Sequence, residues 1–132
     1  MAVNGRFPDS LLTYLSWPEA SYLRLRTDAA ASIGRLATAF RRDMGIPLRL
    51  TDAYRTYATQ VKLKAEKGKF AATPGTSLHG WGIAVDAASN INVWGSPQRN
   101  WMVANAPRHG WTSPAWAQLG QSTPEAWHWE HA

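Results

Sequence analysis

The segment Gly82–Ala88, "GIAVDAA", places Asp86 among apolar residues. Ile83 and Val85 alternate as strand residues heading into a core. A carboxylate carried into such a setting is costly unless it is paired, hydrogen-bonded or bound to a metal. Any fold of this chain must therefore bring partners to Asp86. Two readings meet that demand. In one, Asp86 ends a strand and takes backbone hydrogen bonds. In the other, it is a metal ligand. His79 stands seven residues upstream in "SLHGWG", with Ser77 two residues before it. That spacing is awkward for one helix face and easy for a glycine-containing loop that folds back from a strand.

The chain contains no cysteine, so disulfides, thiolate metal sites and cysteine nucleophiles are all excluded. A metal here would be held by histidine and carboxylate. Zinc accepts both, and its catalytic sites keep three protein ligands and one open position. The third ligand would come from the distal histidines. His128 lies in "EAWHWE", flanked by Trp127 and Trp129, and Glu125 precedes it by three residues. A carboxylate beside a metal, but not on it, can take a proton from a water whose pKa the metal lowers to roughly 7. The plainer reading makes His128 a hydrogen-bonded core histidine and Glu125 a cap before the last strand. A serine hydrolase built on Ser77, His79 and Asp86 is a rival. However, Ser77 and His79 are only two residues apart, and no Gly-x-Ser-x-Gly elbow is present.

The surrounding elements are legible in outline. Residues 1–26 read as an irregular arm with turn signals at Asn4-Gly5, Pro8 and Pro18. A helix capped by Thr27 or Asp28 is predicted to run to Met44, with Ile33, Leu36, Ala37, Phe40 and Met44 on one face and Gly45 ending it. Leu48 and Leu50 predict a short strand ending near Ala53. A second helix follows over Thr56–Lys67, stopping at Gly68. Residues 68–82 read as a long glycine-rich loop. Ser96-Pro97 is a cap and first helical position for a short helix to Asn105. In the tail, alternation puts Trp127 and Trp129 on one strand face and His128 and Glu130 on the other. The expected class is α+β: one domain over residues 1–132, with N-terminal helices packed on a small, mostly antiparallel sheet.

A length of 132 residues suits a single core, and 45% hydrophobic with 17% charged residues describes a globular chain. The eight tryptophans could fill that core or line a groove. The net charge of +5 is compatible with polyanionic partners, anionic cell-wall polymers among them. Its densest patch, Lys62, Lys64, Lys67 and Lys69, reads first as a solvated helix face. Charge alone, without a motif, does not support nucleic-acid binding. No stretch approaches the roughly 20 apolar residues of a membrane helix, so no membrane insertion is expected. "MAVNGRFPDSLL" lacks the pattern of a secretory signal, so delivery to an extracellular target would need another route.

"SLHGWGIAVD" together with "EAWH" resembles the signature of zinc D-alanyl-D-alanine carboxypeptidases of the VanY type and of related phage endolysin peptidases. Ser77, His79, Gly82, Ala84, Asp86, Glu125, Trp127 and His128 fit its positions. "DAYRTYATQ" resembles the family's upstream segment, with Thr56 where serine is commoner, and "NGRFPDS" and "PGTSLHG" resemble phage members. The resemblance implies that His79, Asp86 and His128 bind one zinc ion and that Glu125 is the catalytic base. It implies that Arg55 contacts the substrate and stabilises an oxyanion, which suits an always-charged guanidinium fork. Gln60 and Ser77 match positions near the substrate. The implied substrate is a peptidoglycan stem peptide, cut by a monomeric enzyme made in the cytoplasm and released through a holin or carried in a longer lysin. The family also contains endopeptidases that cut between L-alanine and D-glutamate. A zinc-bound module without catalysis, as in the signalling domain of hedgehog proteins, uses a similar fold. Asp52 is positioned to orient Arg55, and Glu130 to support His128. His109 reads as an exposed turn residue and His131 as a solvated one able to compete for metal. Trp81 and Trp94 could line a groove or pack in the core.

Overall fold

The long helix α1 (Thr27–Met44) buries Ile33, Leu36, Ala37 and Phe40, the stripe its sequence spacing predicts. Gly45 closes it by donating its backbone N–H to the Arg41 carbonyl. In the computed structural model, which describes residues 2–132, this helix packs with one face of a four-stranded sheet. The sheet is formed by β3 (Leu50–Asp52), β4 (Ala84–Ala87), β5 (Trp111–Thr112) and β6 (His128–His131), in the order β3-β4-β6-β5. Every pairing is antiparallel. Val85 and Trp129 face each other across β4 and β6 and join Ile33, Leu36 and Phe40 in the core. Trp111 donates its indole N–H to Ser32 at 2.9 Å, which ties β5 to α1 inside that core.

The same register sets Asp86 opposite His128, and Asp52 opposite Asp86. Alternation turns Asp86 and His128 away from α1, and a register shift between Leu50 and Asp52 brings Asp52 to the same side. The sheet thus has an apolar face against the helix and a polar face that carries Asp52, Asp86 and His128.

Helix α2 (Tyr57–Lys67) starts where Thr56 accepts a hydrogen bond from the Thr59 N–H, and α3 (Pro97–Asn105) starts where Ser96 accepts from the Arg99 N–H. Both helices match their expected bounds closely. The first 26 residues depart from expectation. They contain an antiparallel pair, β1 (Leu12–Tyr14) and β2 (Arg24–Arg26), with Leu12, Leu15 and Leu25 buried. Three-residue strands are too short to display a period-two pattern, so the sequence showed only the turns between them. Trp127 also departs from expectation. It precedes β6 and is 40% exposed, whereas Trp129 is buried. No helix among the described residues is long and apolar enough to cross a membrane.

Candidate metal centre

Three elements meet at Asp86. A tight turn, Leu78–Trp81, presents His79; β4 carries Asp86; and β6 opens with His128. Asp86 Oδ1 lies 3.2 Å from His79 Nε2 and 3.4 Å from His128 Nδ1. One potential ligand atom from each residue falls within 4.8 Å of the others. Gly82 ends the turn at φ +70°, and a side chain there would strike the Arg26 backbone, so only glycine fits.

The outer ring nitrogens fix what the inner ones present. His79 Nδ1 lies 2.8 Å from the Ala53 carbonyl, an acceptor, so it carries the proton and Nε2 keeps its lone pair. His128 Nε2 lies 2.9 Å from Glu130 Oε2, which leaves Nδ1 facing Asp86. Asp86 Oδ1 is buried and has no aligned hydrogen-bond donor. Two imidazole lone pairs and a carboxylate oxygen therefore converge on one point. That arrangement calls for a cation between them, and the nitrogen and oxygen donor set suits zinc.

Without a metal, a proton must fill the role. Burial opposes a charge on His128, but Asp86 and Glu130 outweigh burial and raise its pKa to about 9. Burial likewise pushes Asp86 up, but the two histidines more than reverse it and hold the carboxylate below its ordinary range. Glu125 behaves differently. Burial raises its pKa, which the charge on His128 only partly offsets, and the neighbouring Asp86 charge adds to the rise. Its carboxylate lies 4.0 Å from His128 Nδ1, beside the cluster but outside the set of three.

The cluster sits in a groove of about 430 Å³. Arg55, Glu125, Trp116, Trp127 and Lys67 line it together with His79, Asp86, His128 and Ser77. Asp52 grips Arg55 through Nε at 3.0 Å and a terminal nitrogen at 2.5 Å, and that same nitrogen lies 4.0 Å from Asp86 Oδ2. The guanidinium is thereby fixed at the groove wall. One groove thus holds a His–Asp–His cluster able to bind a metal, a neighbouring carboxylate with a raised pKa and an arginine held by Asp52, a set that amide hydrolysis could use.

The family model for VanY, D-alanyl-D-alanine carboxypeptidase, matches residues 22–132. The chain belongs to this family.

Solved structures agree on the fold. The LdcB LD-carboxypeptidase, whose structure addresses peptidoglycan recognition, superposes with a TM-score of 0.71 at 22% identity, covering 98% of this chain and 72% of that one. A mutant of the vancomycin-resistance D,D-pentapeptidase VanY, in complex with Zn(II), gives 0.67 at 24% identity, covering 99% and 86%. DacB from Streptococcus pneumoniae gives 0.59 at 23%, covering 82% and 66%. No curated protein matches the sequence.

Within this VanY-family chain, the structure brings His79, Asp86, His128, Glu125, Arg55 and Ser77 to one groove and leaves Gln60 behind it. Gln60 is buried, accepts from the Gly75 N–H and donates to Asn4 and to the Arg55 carbonyl, so its amide serves the loop rather than the groove. Ser77 Oγ accepts from the His79 N–H and caps the turn. Asp52 and Glu130 hold Arg55 and His128 as the sequence led us to expect. His131 is half-buried rather than fully solvated, its ring packing 5.1 Å from Trp111. His109 is half-buried in the turn Ala106–His109. Trp81 packs on Phe7 and Trp94 on Arg99, and neither lines the groove. Trp116 does, with its ring 5.1 Å from that of His128. It was missed because "SPAWAQ" carries no motif or periodicity.

Proposed function

We propose that this VanY-family chain is a zinc peptidase that hydrolyses an amide bond in peptidoglycan stem peptides. The convergence of His79, Asp86 and His128 on one groove, with Glu125 beside them, carries this reading. Zinc bound there would act as a Lewis acid and lower the pKa of a water from about 16 to roughly 7. The chain's own residues do the rest. Glu125, with its raised pKa, takes the proton from the attacking water and delivers it to the leaving amine. Arg55, held by Asp52, faces the oxygen on which negative charge develops. Trp116 and Trp127, which line the groove, offer apolar walls to a bound peptide. Lys67, on the groove wall, offers a cation to a substrate carboxylate. The structure of a VanY homologue with D-alanine-D-alanine supports a peptide ending in that pair as substrate. The likeness of "NGRFPDS" and "PGTSLHG" to phage members supports a monomeric endolysin domain acting at the wall after holin-type release, with its basic surface meeting anionic wall polymers.

Digestion of purified muropeptides tests the reading. Free D-alanine is the expected product, lost in Glu125→Ala while zinc binding persists. Fragments cut between L-alanine and D-glutamate would move the enzyme to the endopeptidase branch. An unchanged rate in Glu125→Ala would sink the mechanism. Tight zinc binding without hydrolysis would identify a binding module.

A further inference from the structure

Residues 4 and 5 precede the segment that matches the family, yet they lie inside the site's scaffold. Asn4 is only 4% exposed. Its amide nitrogen donates to the Ser77 carbonyl at 2.7 Å, and its amide oxygen accepts from Gln60 at 3.0 Å. Gly5 donates its N–H to the Gly80 carbonyl at 2.8 Å and accepts the Tyr57 N–H at 2.9 Å. The turn that presents His79 is thus stitched to the start of α2 by a two-residue strap. The packing is close: a side-chain carbon at Gly80 would fall 1.9 Å from Asn4 Oδ1. The stitching reaches both functional groups. The His79 carbonyl accepts the Arg55 N–H at 3.0 Å, and Gln60, held by Asn4, donates to the Arg55 carbonyl.

We propose that Asn4 is a positioning residue of the metal centre, fixing the turn that carries His79 and, through Gln60, the backbone of Arg55. An asparagine suits the place because it needs one donor and one acceptor on the same side chain. A neighbour that orients a metal ligand typically contributes about 10- to 100-fold in metal affinity or activity. For its metal readout the proposal rests on the zinc-peptidase reading; its structural readout stands alone.

The experiment compares the full chain with Asn4→Ala, Asn4→Asp and Ser32→Ala. Ser32→Ala removes a buried hydrogen bond far from the groove and serves as the stability control. Zinc affinity is measured by competition with a chromophoric chelator, and amide hydrogen exchange is followed in the metal-free chain. Asn4→Ala is expected to weaken zinc about tenfold or more and to speed exchange at Arg55 and across residues 77–82. Asn4→Asp, which keeps the acceptor and loses the donor facing Ser77, is expected to do the same. Ser32→Ala should lower the melting temperature and leave zinc affinity unchanged. Parental zinc affinity in both Asn4 variants, or equal weakening in Ser32→Ala, would overturn the proposal. If the parent itself binds no zinc, the peptidase reading fails. Exchange then decides alone: a local rise at residues 77–82 supports the strap, and no rise overturns it.

Discussion

At the scale of single residues, Asp86 organises the site by what it lacks. Its Oδ1 is buried, faces two ring nitrogens and has no aligned donor. Each of those rings is oriented from behind, His79 by the Ala53 carbonyl and His128 by Glu130. Arg55 is oriented in the same way, by both Nε and a terminal nitrogen on Asp52. A charge-assisted fork of this kind fixes geometry as well as adding energy. Asp52→Asn removes the charge and one acceptor while barely changing volume. We expect kcat on a stem-peptide substrate to fall by about 10- to 100-fold, with the chain still folded by circular dichroism. Undiminished kcat would show that Arg55 needs no such support.

At the scale of elements, Arg99 on α3 links the parts of the groove that arrive late in the chain. It is buried, has no carboxylate partner among the described residues, and stacks 4.1 Å from the Trp94 ring. Its guanidinium donates to the Ala126 carbonyl at 2.5 Å and to Ser113 and Gln118 at 3.4 Å. One side chain thereby ties the segment bearing Glu125 to the segment bearing Trp116. The Glu125 N–H also bonds the Ala117 carbonyl, which closes the link. Arg99→Met would leave the Ala126 carbonyl unsatisfied in the interior, at a cost of about 1–3 kcal/mol in unfolding free energy. Urea denaturation measures that loss. Activity should fall further than zinc affinity, because Glu125 moves while the ligands on β4 and β6 stay in register. Arg99→Lys keeps the charge but not the fork, and should lie between the parent and Arg99→Met. A fully active, fully stable Arg99→Met would refute the link.

For the whole molecule, folding and the metal centre are coupled through charge. In the metal-free chain, His128 has its pKa raised from 6.5 to about 9, so it binds a proton more tightly folded than unfolded. The resulting stability is full below pH 6.5 and is lost as the pH rises through about 9. Asp86 has the opposite sign. Its depressed pKa gives stability that is present above the ordinary 3.8 and lost as the pH falls. Chelator-treated protein should therefore melt highest between these limits and lose melting temperature from pH 7 to 10. His128→Gln should flatten the alkaline limb. Added zinc should remove that limb, because the metal takes the place of the proton. An alkaline limb that persists in His128→Gln would place its origin elsewhere.

The sequence picked out His79, Asp86, His128 and Glu125 as candidates, through the likeness of "SLHGWGIAVD" and "EAWH" to a family signature, and the structure brings these four together. The sequence determined α1, α2 and α3, because their caps and apolar stripes are local signals. It did not show β1 and β2, whose three-residue strands carry too little pattern. It did not show Trp116, Arg99 or Asn4 at the site, because each acts through partners distant in the chain: Asn4 meets Ser77 from 73 residues away. Only the tertiary structure decided that Gln60 serves the loop, that Trp81 and Trp94 lie off the groove, and which nitrogen of each histidine faces Asp86. Strand register and long-range hydrogen bonds fix those choices, and neither is written in any local stretch of residues.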